Sequence, residues 1–333
     1  MDGKASVGSL MPVKRNFSVP CDGTTRALPS YVIITPAYNE AKFICANIEA
    51  VLAQTVLPLQ WVIVDDASTD ETAAIVRKYA AQYEFIRLVQ VTQPHPRNFR
   101  ARIAAINLGL ESVTVFDYGF VGTLDADVTF APDYYQRLLC HFHEDEKLGL
   151  AGGIVVEHGA GIRIPVMGEN TRIVANGVHL MRRECHEMIG PCPLLPYGGP
   201  DAYNAVSARM LGWRVRTFDE LPVNHARLMS SADGITNGKF RDGKRDFSFG
   251  NHPLFEVLKC FRRIPEAPVI WGACMIFCGY CWAALHSEPR TVSSELVAFL
   301  RAEQRGRLRS LLLGWLGRNR KGAITDGGTA SEE

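Results

Sequence analysis

From residue 30 to about 225 two apolar patterns alternate along the chain. Tyr31–Thr35, Trp61–Val64, Phe85–Val91 and Phe120–Leu124 are short apolar runs without inside–outside alternation. Runs of this kind fit strands buried on both faces. Between them the apolar positions take helical spacing. Over Glu40–Gln54, residues Phe43, Ile44, Ile48, Val51 and Leu52 share a face; over Asp70–Tyr83, Ile75, Val76 and Tyr79 do. Phe99–Leu110 and Tyr134–Phe142 read as helices too. Strand and helix in strict alternation predict an α/β domain, with a largely parallel sheet covered on both faces.

Open α/β sheets bind ligands outside the C-terminal ends of their strands. Three such ends can be read here: Thr35-Pro-Ala-Tyr-Asn-Glu40, Asp65-Asp-Ala-Ser68 and Asp125-Ala-Asp127. All are polar or acidic. The third puts two carboxylates directly after a buried strand, and one of them can hold a divalent cation, which can hold a nucleotide's diphosphate. The Gly-x-Gly-x-x-Gly fingerprint after the first strand and the Walker A motif are both missing, which argues against a nicotinamide dehydrogenase and a P-loop enzyme. Asp65, Asp66 and Asp70 also read as helix N-caps, since Ser68-Thr-Asp-Glu71 has the composition of a helix start.

Beyond about residue 230 the pattern changes. Residues 1–29 are polar and mixed and read as a disordered tail, 30–229 as the α/β domain, and 230–333 as an extension. Ser230–Asp246, rich in Gly, Asp, Lys and Arg, reads as an exposed loop. Pro268–Leu285 carries no formal charge. As a helix it is at the lower edge of what crosses a bilayer, so a membrane-embedded or re-entrant segment and a buried helix both remain open. Residues 292–318 read as a basic amphipathic helix suited to an anionic leaflet.

The 333 residues are 47% apolar and 21% charged, ordinary for a globular protein. A net charge of +1 gives no polyelectrolyte character, and nucleic acid is not an expected partner. The nine cysteines show no zinc spacing and read as thiols of a reducing compartment. With no apolar signal core at the N-terminus, the expectation is a cytoplasmic protein associated with the inner face of the cell membrane.

Ile33-Ile-Thr-Pro-Ala-Tyr-Asn-Glu40, Val64-Asp-Asp-Ala-Ser-Thr-Asp70 and Leu124-Asp-Ala-Asp127 resemble, in order and spacing, bacterial family 2 glycosyltransferases of the exopolysaccharide type. The resemblance covers about residues 30–225. It implies the GT-A fold, a Rossmann-like mixed sheet, mostly parallel and covered by helices. It implies a nucleotide-sugar donor, with UDP favoured, and Mg²⁺ or Mn²⁺ as cofactor. Pro36, Ala37 and Glu40 would lie in the first nucleotide-binding loop. Asp66 would contact the base, Asp125 the ribose or metal-bound water, and Asp127 the metal.

Inverting transfer needs one base for the acceptor hydroxyl. The resemblance puts it at Asp201, eleven and twelve residues before Gly212-Trp213. The surroundings depart from the family: Pro200, Tyr203 and Ser207 stand where Glu, an acid and Arg are usual. His225 would meet the metal or diphosphate, with Arg227 beside the phosphates. The expected function is inverting, metal-dependent transfer of a sugar to a saccharide or lipid-linked acceptor in cell-surface polysaccharide synthesis, with contact to a membrane surface. Two alternatives stand beside it: a catalytically silent, membrane-associated nucleotide-sugar-binding protein, and a partner-dependent poly-N-acetylglucosamine-type synthase.

Overall fold

The computed structural model describes residues 17–21, 24–92, 98–157, 161–162, 173–175, 177–226, 234–266 and 268–325, some of them at segment ends by their backbone alone. The chain divides into two compact units, Met1–Met229 and Ser230–Glu333.

The first unit is built on one nine-stranded sheet. Its parallel half has four strands: β3 (Tyr31–Ala37), β4 (Gln60–Asp66), β5 (Ile86–Val91) and β6 (Phe120–Leu124). Helices α1 (Ile44–Leu52), α2 (Thr72–Ala80) and α3 (Phe99–Glu111) connect them. The second half is mixed. It contains β7 (Val128–Phe130), β8 (Leu148–Glu157), β9 (Gly161–Ile162), β10 (Val178–Arg182) and β11 (Arg214–His225). The spatial order is β5-β4-β3-β6-β10-β8-β11-β7, with β9 on β8. Strand β10 is antiparallel to both its neighbours, and β7 is antiparallel to β11. Helices α4 (Tyr134–Glu144), α5 (Arg183–Ile189) and α6 (Pro200–Met210) complete the unit.

Every residue of β4 is buried, as its uninterrupted apolar run requires. One sheet face packs Ile33, Ile63, Trp61 and Tyr31 against α1 and α4 residues. The other packs Ile34, Val62 and Val64 against Ala105 of α3. Gly109 makes that second contact possible, because a Cβ there would stand 2.3 Å from Ile34 Cγ2. The strand order reverses at the β3–β6 pair, so the crevice that such reversals create opens beside Ala37 and Leu124.

Three expectations change. Within the segment read as a disordered tail, β1 (Phe17–Cys21) and β2 (Thr24–Leu28) pair as an antiparallel hairpin. Among the described residues seven cysteines are free thiols, but Cys140 on α4 is disulfide-bonded. The segment read as an exposed loop after Ser230 is mostly helix α7 (Ile235–Ser248).

The second unit holds α7, α8 (Pro253–Arg262), α9 (Trp271–Leu285) and α10 (Ser294–Thr325). The reason α7 forms lies in α9. A Cβ at Gly243 would stand 1.9 Å from Ile276 O, and one at Gly279 2.0 Å from Phe240 O. The two backbones therefore touch, and tertiary packing outweighs the poor helix propensity of the glycines. A buried polar cluster joins α7, α8 and α10. Lys259 pairs with Asp246 and Glu256, Asn251 Nδ2 donates to Glu256 Oε2 at 3.0 Å, and Gln304 Nε2 donates to Asn251 Oδ1 at 3.0 Å.

Among the described residues no helix is long and apolar enough to cross a membrane. Helix α9 has 15 residues and spans about 22 Å. It is not wholly buried either. Gly272, Ala273, Ile276, Gly279, Tyr280 and Ala283 face inward, while Trp271, Cys274, Phe277, Cys278 and Leu285 are exposed.

Candidate active site

The carboxylates meet at the crevice because backbone hydrogen bonds fix the turn that carries them. Asp125 N donates to Gly177 O at 2.7 Å. From below, the buried Asn47 on α1 donates through Nδ2 to Asp125 O at 3.1 Å and Val128 O at 2.8 Å. Gly177 brings its backbone close to this carboxylate, since a Cβ there would stand 2.2 Å from Asp125 Oδ2. The turn ends at Asp127, and β7 leaves from it to pair with β11 in a register that sets His225 opposite Val128. Ala226 N donates to Asp127 O at 2.9 Å. Strand pairing thereby brings His225 Nε2 to 3.5 Å from Asp127 Oδ1, with both side chains only about a tenth exposed.

Arg102 was not singled out in the sequence. It projects from α3, whose start is capped by Asn98 accepting from Ala101 N at 3.2 Å. Its guanidinium pairs with Asp125 Oδ1. Burial opposes its charge, but Asp125, and more weakly Asp201 and Asp127, outweigh it and raise its affinity for its proton. Asp201 thus belongs to the same electrostatic neighbourhood. The signal that could have found Arg102 is weak: an arginine one turn into a helix whose opposite face is wholly apolar.

Asp201 lies in the first turn of α6, after Gly198 and Gly199 with φ of +78° and +96°. Only glycine adopts such a pair readily. A Cβ at Gly198 would also meet the Phe99 ring at 3.0 Å. Pro200 takes the start of α6, where its missing N–H costs nothing. Tyr203 and Ser207 share a hydrogen bond one turn apart, so two of the three departures from the family satisfy each other.

The loops after β3 and β4 are stitched together. Asn39 N donates to Ser68 Oγ at 3.0 Å, Thr69 N to Asn39 Oδ1 at 2.8 Å, and Glu40 N to Thr72 Oγ1 at 2.8 Å. Asn39 and Ala67 hold φ of +53° and +56° at the two strand ends. Pro36 and Ala37 close β3 opposite Val64 and Asp65. Asp70 is structural: it accepts from Thr72 N and Ala41 N. Asp65 accepts from Gln90 Nε2, whose amide oxygen in turn accepts from Arg77. Asp66 ends β4 on the opposite sheet face, the one covered by α3, and is buried. Arg227 lies outside the described residues.

A small, mostly apolar cavity beside α3 is lined by Ile103, Ile106, Val121 and Met181, with Asn107, Thr123, His179 and Asn204 as polar members. Asn107 Nδ2 donates to Cys192 O at 3.1 Å, and its Oδ1 has no protein partner. His179 stands 3.0 Å from Thr123 Oγ1 through Nδ1, and burial pushes its pKa down to about 4 from 6.5. The folded protein therefore refuses a proton that the unfolded chain accepts below about pH 6.5. Stability should fall as pH drops from 6.5 towards 4, with His179 contributing about 3 kcal/mol over the full window. Denaturant melts at pH 7 and 4.5 check this. His179→Asn should lose about 2 kcal/mol less than the wild type between those values; an equal loss in both would assign the acid sensitivity elsewhere.

A doubly covered sheet with an acidic turn at its reversal point is the GT-A class of architecture. The mannosyltransferase PcManGT from Pyrobaculum calidifontis, solved with GDP-Man and Mn²⁺, superposes with a TM-score of 0.54 at 21% identity, over 86% of this chain and 83% of that one. The Escherichia coli chondroitin synthase is 30% identical over 125 residues, 38% of this chain and 17% of its own length. An uncharacterized glycosyltransferase of Escherichia coli K12, YibD, is 32% identical over 114 residues, 34% of this chain and 30% of its own. The chain spans less than a third of the length of these curated relatives. Residues 32–194 match the model of glycosyl transferase family 2, and this stretch of the chain is a domain of that family.

Proposed function

We propose that the chain is an inverting, metal-dependent glycosyltransferase that moves a sugar from a nucleotide-sugar, UDP-linked by preference, to a saccharide or lipid-linked acceptor in cell-surface polysaccharide synthesis. The observation that carries this reading is Asp127 Oδ1 facing His225 Nε2 across 3.5 Å at the β3–β6 crevice. Two side-chain donors at that separation fit one Mg²⁺ or Mn²⁺ ion. Such ions commonly take one or two protein ligands and fill the rest of the shell with phosphate and water. When bound, the ion supplies Lewis-acid stabilisation of the leaving diphosphate. The mannosyltransferase solved with GDP-Man and Mn²⁺ on the same fold supports the metal.

The remaining roles belong to the chain itself. Asp66 holds the base and Asp125 the ribose or metal-bound water. The first loop, with Pro36, Ala37 and Glu40, lines the nucleotide. Arg227 neutralises phosphate. Asp201 accepts the proton of the attacking hydroxyl. Pro200 motivates the catalytically silent alternative, but it sits where a helix tolerates proline and leaves Asp201 in the first turn. Thermal melts with UDP, GDP and dTDP, each with and without Mn²⁺, test the reading. A specific ligand raises the midpoint by mass action. Mn²⁺-dependent stabilisation is expected, strongest with UDP; no response to any nucleotide would sink the proposal.

The same function calls for contact with a membrane surface at its cytoplasmic face. Helix α8 exposes Leu254, Leu258 and Phe261 as one stripe, and Val269, Ile270 and Trp271 are exposed at the start of α9. Large open apolar groups of this number mark an interaction surface. Arg262 beside them and the arginines of α10 favour an anionic leaflet. The geometry supports docking in the plane of the interface. Replacing Phe261 and Trp271 together by Glu should weaken co-sedimentation with anionic vesicles at least about a hundredfold, since each large side chain contributes about 1.5–3 kcal/mol on burial. Donor hydrolysis should persist. Unchanged vesicle binding would remove these residues from the contact.

A further inference from the structure

Arg102 occupies an unusual position for a structural arginine. Its guanidinium pairs with one carboxylate of the acidic turn, and it is also within electrostatic reach of Asp127 and Asp201. Asp125 cannot turn away from it freely. Its backbone is tied to Gly177 and Asn47, and its Oδ2 rests against the Gly177 backbone, leaving Oδ1 for Arg102. The side chains of both partners are about a third exposed, 31% for Arg102 and 27% for Asp125, so the pair faces the crevice and an incoming ligand can compete for it.

We infer that Arg102 is the built-in counter-cation of the acidic turn, and that its displacement makes entry of a divalent cation depend on simultaneous entry of the donor's diphosphate. The inference rests on the glycosyltransferase reading and deepens it. Before the donor binds, Arg102 neutralises Asp125 and repels a second cation from the turn. A metal ion alone must work against that repulsion. A nucleoside diphosphate offers the guanidinium new anionic oxygens, and Arg planar donors suit phosphate well. Asp125 is then released for metal-bound water or ribose. No covalent bond changes; one ion pair is exchanged for another. The two ligands are thereby positively coupled, and coupling is reciprocal: each must tighten the other by the same factor. Arg102 in this account contacts the diphosphate directly and acts on the metal through Asp125.

The probes are Mn²⁺ alone and UDP, with free Mn²⁺ followed by electron paramagnetic resonance and UDP by calorimetry. The wild type should bind Mn²⁺ weakly alone and at least about fivefold tighter with saturating UDP. Arg102→Gln should bind Mn²⁺ alone about fivefold tighter than the wild type does, and the enhancement by UDP should shrink towards one. Arg102→Lys, which keeps the charge and loses the fork, should keep weak Mn²⁺ binding and part of the coupling. A merely structural arginine gives the opposite result, with Mn²⁺ binding unchanged or weakened in Arg102→Gln. That outcome overturns the inference, as does full retention of coupling in a variant whose melting curve shows it folded. A wild type that binds neither Mn²⁺ nor any nucleoside diphosphate overturns the glycosyltransferase reading itself, and the inference with it.

Discussion

Asp127→Ala should abolish sugar transfer and remove Mn²⁺-dependent stabilisation by a nucleoside diphosphate, while the protein stays folded. The expected fall in turnover is about three orders of magnitude or more, the several kcal/mol that a Lewis acid contributes to a departing diphosphate. The fold should survive because the hydrogen bond that ties the turn to β11 runs to the backbone of this residue: Ala226 N donates to Asp127 O, and alanine keeps that oxygen. The same hydrogen bond and the β7–β11 register hold His225 in place. The variant therefore removes the carboxylate, with its pairing to His225 Nε2, and keeps the backbone hydrogen bond of the turn. Circular dichroism and the melting midpoint report the fold; radiolabelled donor turnover and nucleotide-induced melting shifts report the site. Undiminished transfer would show that the metal, if one acts, is held elsewhere.

The second large effect belongs to Asp201. Asn at this position keeps the shape and loses the proton acceptor. Turnover should fall by about two to four orders of magnitude, the contribution of a positioned general base. Donor affinity should change little. The substitution also removes a negative charge from the first turn of α6, which costs about 0.3–1 kcal/mol of stability through the helix dipole. That is far too little to mimic the catalytic loss. Single-turnover measurement with prebound donor separates the cases. If donor binding collapses while turnover of bound donor persists, Asp201 is a binding residue and the base must be sought on another element.

Much of the first unit was legible without coordinates. Apolar runs of the right length, separated by helical spacing, located β3, β4, β5 and β6 and the helices between them to within a few residues. The sequence pattern succeeds there because each element is buried on a face that its own spacing defines. The acidic strand ends were legible for a related reason, since carboxylates directly after a fully buried strand have no core role. The mixed half of the sheet was less visible. Strands β10 and β11 carry polar residues such as His179, Asp219 and Asn224, and their pairing is set by partners far along the chain.

By itself the sequence determined the α/β class, the crevice at the C-terminal strand ends, and the carboxylates delivered to it. Tertiary structure alone decided three things. The register of β7 on β11 brought His225 to Asp127, a pairing of residues 98 positions apart that no local pattern encodes. Packing of α3 aimed Arg102 at Asp125, which depends on Gly109 letting the helix settle on β3 and on Gly177 confining the carboxylate. In the second unit, contact between Gly243 and Gly279 turned a hydrophilic, glycine-bearing segment into α7 and left an uncharged run half-buried as α9. In each case the deciding energy comes from contacts between segments distant in sequence. Local propensity and spacing carry no information about which of those segments will meet.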